Sequence, residues 1–210
     1  MPEQFDQAFW DERYRSHDAL WSGNPNRHLV SEIDGITPGA ALDMGCGEGA
    51  DAIWLAERGW RVTALDLSPV ALQRAAAHAA RVGGEVTERI AWVHADLVKW
   101  DPGPDRYDLV SAQYLHLPSE PRRVLFDHLA VAVAPGGTLL VVGHHPSDLQ
   151  TTMPRPREPD LFFTGDDIAG HLDPAEWDVV TNDAMARTTA DPEGRPVTIH
   201  DAVLRAQRRR

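Results

Sequence analysis

A single cysteine, Cys46, stands in 210 residues, so no internal disulfide can form and a reducing compartment is expected. Basic residues are few. Twenty Lys and Arg against 32 Asp and Glu leave a formal net charge of −12, which repels a polyanion such as DNA or RNA. No apolar run reaches the roughly 20 residues that cross a bilayer. Met1-Pro2-Glu3-Gln4 lacks a basic stretch leading into an apolar one, so no signal peptide is visible and a cytoplasmic protein is expected. His17, His28, His78 and His128 are scattered, so no metal site is expected. There is no internal repeat. The length suits one domain with a sizeable core, as a monomer or homodimer.

What the chain has is the run Ala41-Leu42-Asp43-Met44-Gly45-Cys46-Gly47-Glu48-Gly49-Ala50. An acid and three alternate glycines end an apolar segment, and a helical pattern follows from Asp51 to Arg58. Strand, glycine turn and helix start make a loop whose bare backbone can lie against a ligand. Gly45, Gly47 and Ala50 also fit the dinucleotide pattern, so the loop alone leaves that reading open. Two further apolar runs end at acids: Trp60–Leu65 at Asp66, and Arg89–Val93 near Asp96. Acids at three successive strand ends would face one crevice of an open α/β sheet. A dinucleotide site accounts for the second acid but not for the first and third. An adenosyl ligand with a free amino acid end accounts for all three.

From Asp43 to Val142 the chain resembles the class I S-adenosylmethionine-dependent methyltransferases. The resemblance implies that Gly45, Cys46, Gly47 and Gly49 lie against the methionine part, with Asp43 beneath it. It implies that Asp66 takes the ribose hydroxyls and that Leu67 covers one adenine face. Asp96 would accept from the adenine amino group and Leu97 would offer its backbone N–H. Gln113 would sit beside the sulfonium. S-adenosyl-L-methionine would be the cofactor and S-adenosyl-L-homocysteine the product. The segment Leu20-Trp21-Ser22-Gly23-Asn24-Pro25-Asn26 more narrowly resembles the lid of small tellurite-resistance and thiopurine-type methyltransferases, with Trp21 over the methionine end. A staple packing the lead-in onto the sheet is the alternative for Trp21.

Alternating strands and helices predict a doubly wound, mostly parallel α/β sheet; seven strands match the fold that the resemblance implies, in which the last is antiparallel. Residues 1–36 form a helical lid and 37–210 the core. In the lead-in, Phe5, Phe9 and Trp10 with Arg13-Tyr14 suggest a helix, and Asn26 caps a second one through about Ile33. Strands are expected at 40–45, 61–66, 90–94, 107–112 and 138–144, then near 177–180 and 197–204. Helices are expected at 49–58, 69–82, 119–133 and 165–171. Ser68 and Pro69 form a helix start, and Ala134–Gly137 ends the long helix.

In-line methyl transfer needs mainly an aligned nucleophile and a dry site. After the fourth strand, Tyr114 and His116 are candidates to orient or deprotonate an acceptor, with a core aromatic as the other reading of Tyr114. After the fifth strand come His144 and His145, which alternate sides so that only one faces the site. Glu48 reads as a solvated first-turn acid or as a contact for the ligand's amino end. Arg155 and Arg157 lie in a Pro-rich segment that is either a mobile loop or part of an acceptor pocket. The acceptor is expected to be a small molecule: a thiol, a chalcogen oxyanion, or a natural-product hydroxyl or amine. A nicotinamide oxidoreductase and a non-catalytic S-adenosylmethionine-binding module are the alternatives.

Overall fold

Apolar residues of the central strand alternate between two cores. In a computed structural model describing residues 6–210, the first strand, β1 (Ala40–Met44), sends Leu42 and Met44 to one face and Ala41 to the other. Phe5, counted in the expected first helix, lies outside the described residues. The elements before β1 are α1 (Gln7–Arg15) and α2 (Arg27–Glu32). After it come α3 (Ala50–Glu57), β2 (Arg61–Asp66), α4 (Pro69–Val82), α5 (Gly84–Glu88), β3 (Ile90–His94) and β4 (Tyr107–Gln113). Then follow α6 (Ser119–Ala132), β5 (Val133–His144), α7 (Gly165–Ala169), β6 (Trp177–Ala190) and β7 (Pro196–Arg208). Two short 3₁₀ turns, Pro146–Gln150 and Pro159–Leu161, occupy the Pro-rich segment.

The seven strands order as β3-β2-β1-β4-β5-β7-β6. β1 to β5 pair in parallel, while β7 runs antiparallel to both β5 and β6. This is the expected doubly wound sheet with one antiparallel strand. Strand order reverses between β1 and β4, and the crevice at their carboxyl ends is where such sheets bind ligands. α6 covers one face through Leu125 and Leu129; α2 and α3 cover the other through Leu29 and Leu55.

Three local differences from expectation have physical causes. β5 begins at Val133, not 138, because Val133 pairs with Tyr107 before a bulge restores register at Leu109–Thr138. β6 runs on from 180 to 190, where the sequence is polar, because it is the outer strand and is drawn along the whole of β7. α5 is one short extra turn stacked on α4.

The glycine turn is held from two sides. Gly45 and Cys46 both donate their backbone N–H to Leu65 O, at 2.7 and 3.0 Å. Gly49 caps α3 with φ +84°, and an added Cβ would fall 2.8 Å from both Ala75 Cβ and a Trp92 ring carbon. Its role is close packing of the turn on α4 and β3. Gly49→Ala is therefore expected to cost about 1–3 kcal/mol in stability, from left-handed strain plus overpacking. Denaturant melts of the ligand-free protein check this; an unchanged midpoint would show that the turn relaxes.

Candidate functional site

Ser68 stands at the end of β2 and caps α4 by accepting from Ala71 N at 3.2 Å. Its hydroxyl also donates to Asp11 Oδ1 at 2.5 Å, which ties α1 across the sheet's carboxyl edge. Glu48, buried in the turn, accepts from the backbone N–H of Leu20 and Trp21, both at 3.1 Å, and pairs with Arg74 at 2.9 Å. Asp51 accepts from Asn26 N at 2.6 Å. The lead-in is thus laced onto the glycine turn. Glu48 is neither solvated nor free; its partners lie 27 and 28 residues upstream, which local sequence could not reveal.

Beneath this cover lies a cavity of about 480 Å³, within the range of small-molecule sites. At one end it is lined by Asp43, Gly45, Cys46, Gly47, Asp51 and Asp66. An added Cβ on Gly47 would lie 3.0 Å from the Tyr14 hydroxyl and 3.3 Å from Trp21 Nε1, so bare backbone is needed there. Trp21 is half exposed, lines the cavity, and donates to the Tyr14 hydroxyl at 3.1 Å. Tyr14, which sequence reasoning treated only as a helix residue, is buried.

This end is electrostatically negative. Burial raises the Asp43 carboxyl well above its usual range, and repulsion from Asp51 and Asp66 adds to it. Burial likewise pushes Asp51 up to about 6 and raises Asp66. Asp66 accepts from Gly47 N and Ser68 N, both at 2.8 Å, which keeps its two oxygens splayed across the cavity wall. Cys46 lines the same wall with a thiol pushed up by burial, so it is no nucleophile at neutral pH.

The other end is aromatic. Tyr114, Leu115, His116 and His144 line it with Trp10 from α1. Ring centroids lie 4.8 Å apart for Tyr114 and His144, 5.8 Å for His116 and His144, and 6.0 Å for Trp10 and His116. Burial, then the charges of nearby arginines, lowers His116 to about 4 and His144 to about 3, so both rings are neutral at pH 7. His145 turns away to Ser147, 3.0 Å off. Gln113 lines the wall between the two ends and donates to Ser111 Oγ at 3.0 Å. Among the described residues, Asp43 Oδ2, Gln113 Oε1 and His144 Nδ1 are buried atoms lacking a hydrogen-bond partner, and all three residues line this cavity. Such orphans cost free energy unless a ligand satisfies them.

Behind the aromatic end, Asp201 of β7 is fully buried and accepts from His28 Nε2 at 3.0 Å and Arg187 Nε at 2.8 Å. The charges of Asp201 and Arg187 both act on the Tyr114 hydroxyl. Tyr114 has φ +51°, a left-handed turn directly after β4. His28, Arg187 and Asp201 were missed because they come from elements far apart in the chain.

Two residues expected at the ligand are not on the cavity wall. Asp96 accepts from Val98 N at 3.1 Å and pairs with Lys99 at 3.0 Å, while its neighbour Leu97 does line the cavity with Leu67. Gly49 is turned to α4, as described above. Arg155 is bound to the fully buried Asp148 at 2.9 Å and Arg157 is exposed; neither lines the cavity, whereas Arg187 does. A second hollow of about 560 Å³ lies between α6 and the segment 159–171. Its charged groups are satisfied locally, Arg122 by the carbonyls of Leu117 and Asp160, and Arg123 by Glu120 and Asp127.

A family model described as a methyltransferase domain matches residues 41–137. A 2-heptyl-1-hydroxyquinolin-4(1H)-one methyltransferase of Mycobacteroides abscessus is 31% identical over 163 residues, covering 71% of this chain and 70% of that protein. The structure of TehB from Haemophilus influenzae superposes with a TM-score of 0.70 at 17% identity, over 97% of this chain and 67% of that one. The Burkholderia thailandensis 1,6-didemethyltoxoflavin-N1-methyltransferase, solved with its substrate and S-adenosylhomocysteine, gives 0.68 at 20% identity over 97% and 87%. At those identities the two structures speak for the fold. Among the described residues no helix is long and apolar enough to cross a membrane.

Proposed function

The chain belongs to the class I S-adenosylmethionine-dependent methyltransferases, and from that premise we propose that it methylates a small planar aromatic or heteroaromatic hydroxyl on oxygen. The protein is an enzyme, with S-adenosylmethionine as cofactor and a small molecule as acceptor. The observation that carries the finer reading is the pair of neutral imidazoles, His116 and His144, set among Tyr114 and Trp10.

The residues fit the cofactor. Its ammonium and sulfonium are cations, and they suit an end where three buried carboxylates repel one another and Asp43 Oδ2 has no partner. In this proposal Asp43 supports the methionine part from beneath, with Gly45, Cys46 and Gly47 offering bare backbone beside it. Asp66 takes the ribose hydroxyls with the lone pairs its two backbone bonds leave free. Leu67 and Leu97 flank the adenine, and Gln113 Oε1 faces the sulfonium. Asp96 drops out, being engaged by Lys99 off the wall. Residues up to 36 act as a lid, closed by Trp21 and laced down through Glu48 and Asp51, over a core of 37–210.

The cofactor supplies a methyl group on sulfur that leaves with the bonding electron pair. The chain's own task is to align an oxygen and deal with its proton. Neutral imidazoles accept protons, but bases near 3 to 4 are weak. They match hydroxyls that ionise readily, such as phenols and enolic heterocycles, rather than alcohols. Flat rings would stack between Trp10, Tyr114 and the imidazoles. Thiols and chalcogen oxyanions need no base and leave those walls unexplained. The Mycobacteroides relative is named for a hydroxyquinolinone, a planar acceptor of this kind.

A panel of phenols, hydroxyquinolines, thiols, amines and tellurite, followed by S-adenosylhomocysteine release, tests this. Planar hydroxyls are expected to lead; turnover confined to thiols or tellurite would reject the reading. Within the phenols, His144→Gln and His116→Gln are expected to lower kcat/KM about 100-fold for a weakly acidic phenol. They should do little for 4-nitrophenol, which arrives ionised. Equal losses on both substrates would assign the histidines to packing instead.

Cofactor binding has its own pH dependence. Asp51 titrates near 6 and Asp43 above its usual range, and a cationic ligand needs these carboxylates ionised. Below about pH 6 a proton must leave Asp51, so affinity is expected to fall up to about tenfold per pH unit, and more steeply wherever Asp43 also holds a proton. Calorimetry at pH 5, 6, 7 and 8 checks it; a flat profile would mean the acids carry no proton in that range.

A further inference from the structure

We infer that Arg187 holds the negative charge of the acceptor, so that the acceptor binds as an anion with its charged atom on the Arg187 side of Tyr114. The inference rests on the methyltransferase reading of the cavity and deepens it.

Arg187 comes from β6, the outer strand of the sheet. Most of that strand is exposed, yet Arg187 reaches inward over β7 to line the cavity. It crosses to Asp201 as a diagonal neighbour, since the residue opposite Asp201 is Met185. The guanidinium meets that carboxylate through Nε at 2.8 Å and Nη2 at 3.5 Å. A fork of this kind uses two of the five N–H groups and leaves three.

The pair is neutral in sum but not in orientation. Asp201 is fully buried and is spent on His28 and Arg187, whereas Arg187 keeps part of its surface on the cavity side. Its positive face is therefore presented inward. Four carboxylates, Asp43, Glu48, Asp51 and Asp66, line the opposite end. The cavity thus gathers acidic groups where the cofactor's cation would rest and a guanidinium where the acceptor enters. Arg27, also on the lining, is exposed at the mouth, and Arg155 is bound to Asp148. Arg13 and Arg155 act on the two imidazoles from outside the lining, so Arg187 is the lining cation anchored beside Tyr114 and His144.

An anionic acceptor also completes the chemistry. Its oxygen lone pair forms the O–CH3 bond while the S–CH3 pair departs to sulfur, so opposite charges cancel; a hydroxyl that arrives un-ionised first gives its proton to His116 or His144, and Arg187 holds the anion that results. A guanidinium lowers the acidity threshold of a bound hydroxyl by favouring its ionised form.

The test uses 4-nitrophenol, whose ionised and neutral forms differ in colour, on full-length protein saturated with S-adenosylhomocysteine. Wild type is expected to bind the phenolate about tenfold or more tightly than the phenol. Arg187→Met should erase that preference, and Arg187→Lys should keep part of it. Nitrobenzene, which has no charge, should bind wild type and Arg187→Met alike, and S-adenosylhomocysteine affinity within about twofold of wild type should show that the variant is folded. An Arg187→Met protein that keeps the phenolate preference overturns the inference and leaves the aromatic pocket standing. If neither nitro compound binds wild type, the aromatic-hydroxyl reading fails, and 2-mercaptoethanol decides the rest by its thiolate absorbance. Thiolate binding lost in Arg187→Met would then support Arg187 as the anion holder; thiolate binding absent, or indifferent to the substitution, would overturn it.

Discussion

Asp43→Asn is expected to weaken S-adenosylmethionine binding about 100-fold or more, while leaving the ligand-free protein at least as stable as wild type. The two effects share one cause. Asp43 is 2% exposed, one of its oxygens has no partner, and Asp51 and Asp66 repel its charge. Its carboxyl is raised above the unfolded value, so the folded state holds a proton more tightly than the unfolded chain does. Between those two values stability falls as pH rises, and at neutral pH the ionised group is a net cost. Asparagine removes that cost and keeps a side-chain oxygen of the same size in the same place. With a cationic ligand bound the sign reverses, because the buried negative charge then has its counter-ion. Removing one partner of a buried charge pair costs about 2–5 kcal/mol, or roughly 30- to 3,000-fold in Kd. Calorimetric titration and thermal melts with and without S-adenosylhomocysteine separate the two effects. Unchanged affinity would remove Asp43 from the site, and a ligand-free protein destabilised by several kcal/mol would make it a structural group.

What the sequence made legible was the part of the site that lies on consecutive residues. Asp43, Gly45, Cys46 and Gly47 follow one strand, and Asp66 and Leu67 the next, so spacing alone carried them to one edge of the sheet. The parallel sheet followed from the alternation of strands and helices, and the antiparallel strand from the family resemblance. The aromatic end was half visible: Tyr114, His116 and His144 stand just after strand ends, where side chains meet the crevice. Glu48, Asp11 and Ser68 were hidden in another way. Each has an ordinary local reading, as a first-turn acid, a helix residue and a cap. Only long-range partners show that they fasten the lid. Arg187 was hidden most deeply, in a polar stretch with no strand pattern of its own. It is organised by pairing along β7, and nothing in residues 181–190 announces that pairing. Asp96 shows the converse. An acid at the expected spacing found a nearer partner in Lys99, three residues on, and stayed in its turn.

Asp201→Ala is expected to be the most destabilising single substitution in this region, by about 3–5 kcal/mol. Burial works against the Asp201 charge, but hydrogen bonds from His28 and Arg187 overcome it and hold the carboxyl well below its usual range. Alanine would strand the buried His28 and the Arg187 guanidinium together. Breaking a buried pair from one side costs about 3–5 kcal/mol because the remaining charge is uncompensated. For a domain of this size that is a fall in Tm of roughly 6–20 °C. The linkage sign gives a second check. A carboxyl depressed in the folded state contributes stability above its unfolded value near 4 and loses it as pH falls through the folded one. The gap between wild type and Asp201→Ala should therefore be full at pH 7 and narrow below about pH 4. Adding Arg187→Met should recover part of the loss, because the stranded positive charge goes with it; the double-variant cycle measures that coupling. A deficit independent of pH and strictly additive with Arg187→Met would mean that Asp201 serves only as packing. A coupled deficit would mean that the same carboxylate holds α2 to the sheet and seats Arg187 at the cavity wall. In that case the lid's anchorage and the shape of the acceptor pocket depend on one buried charge.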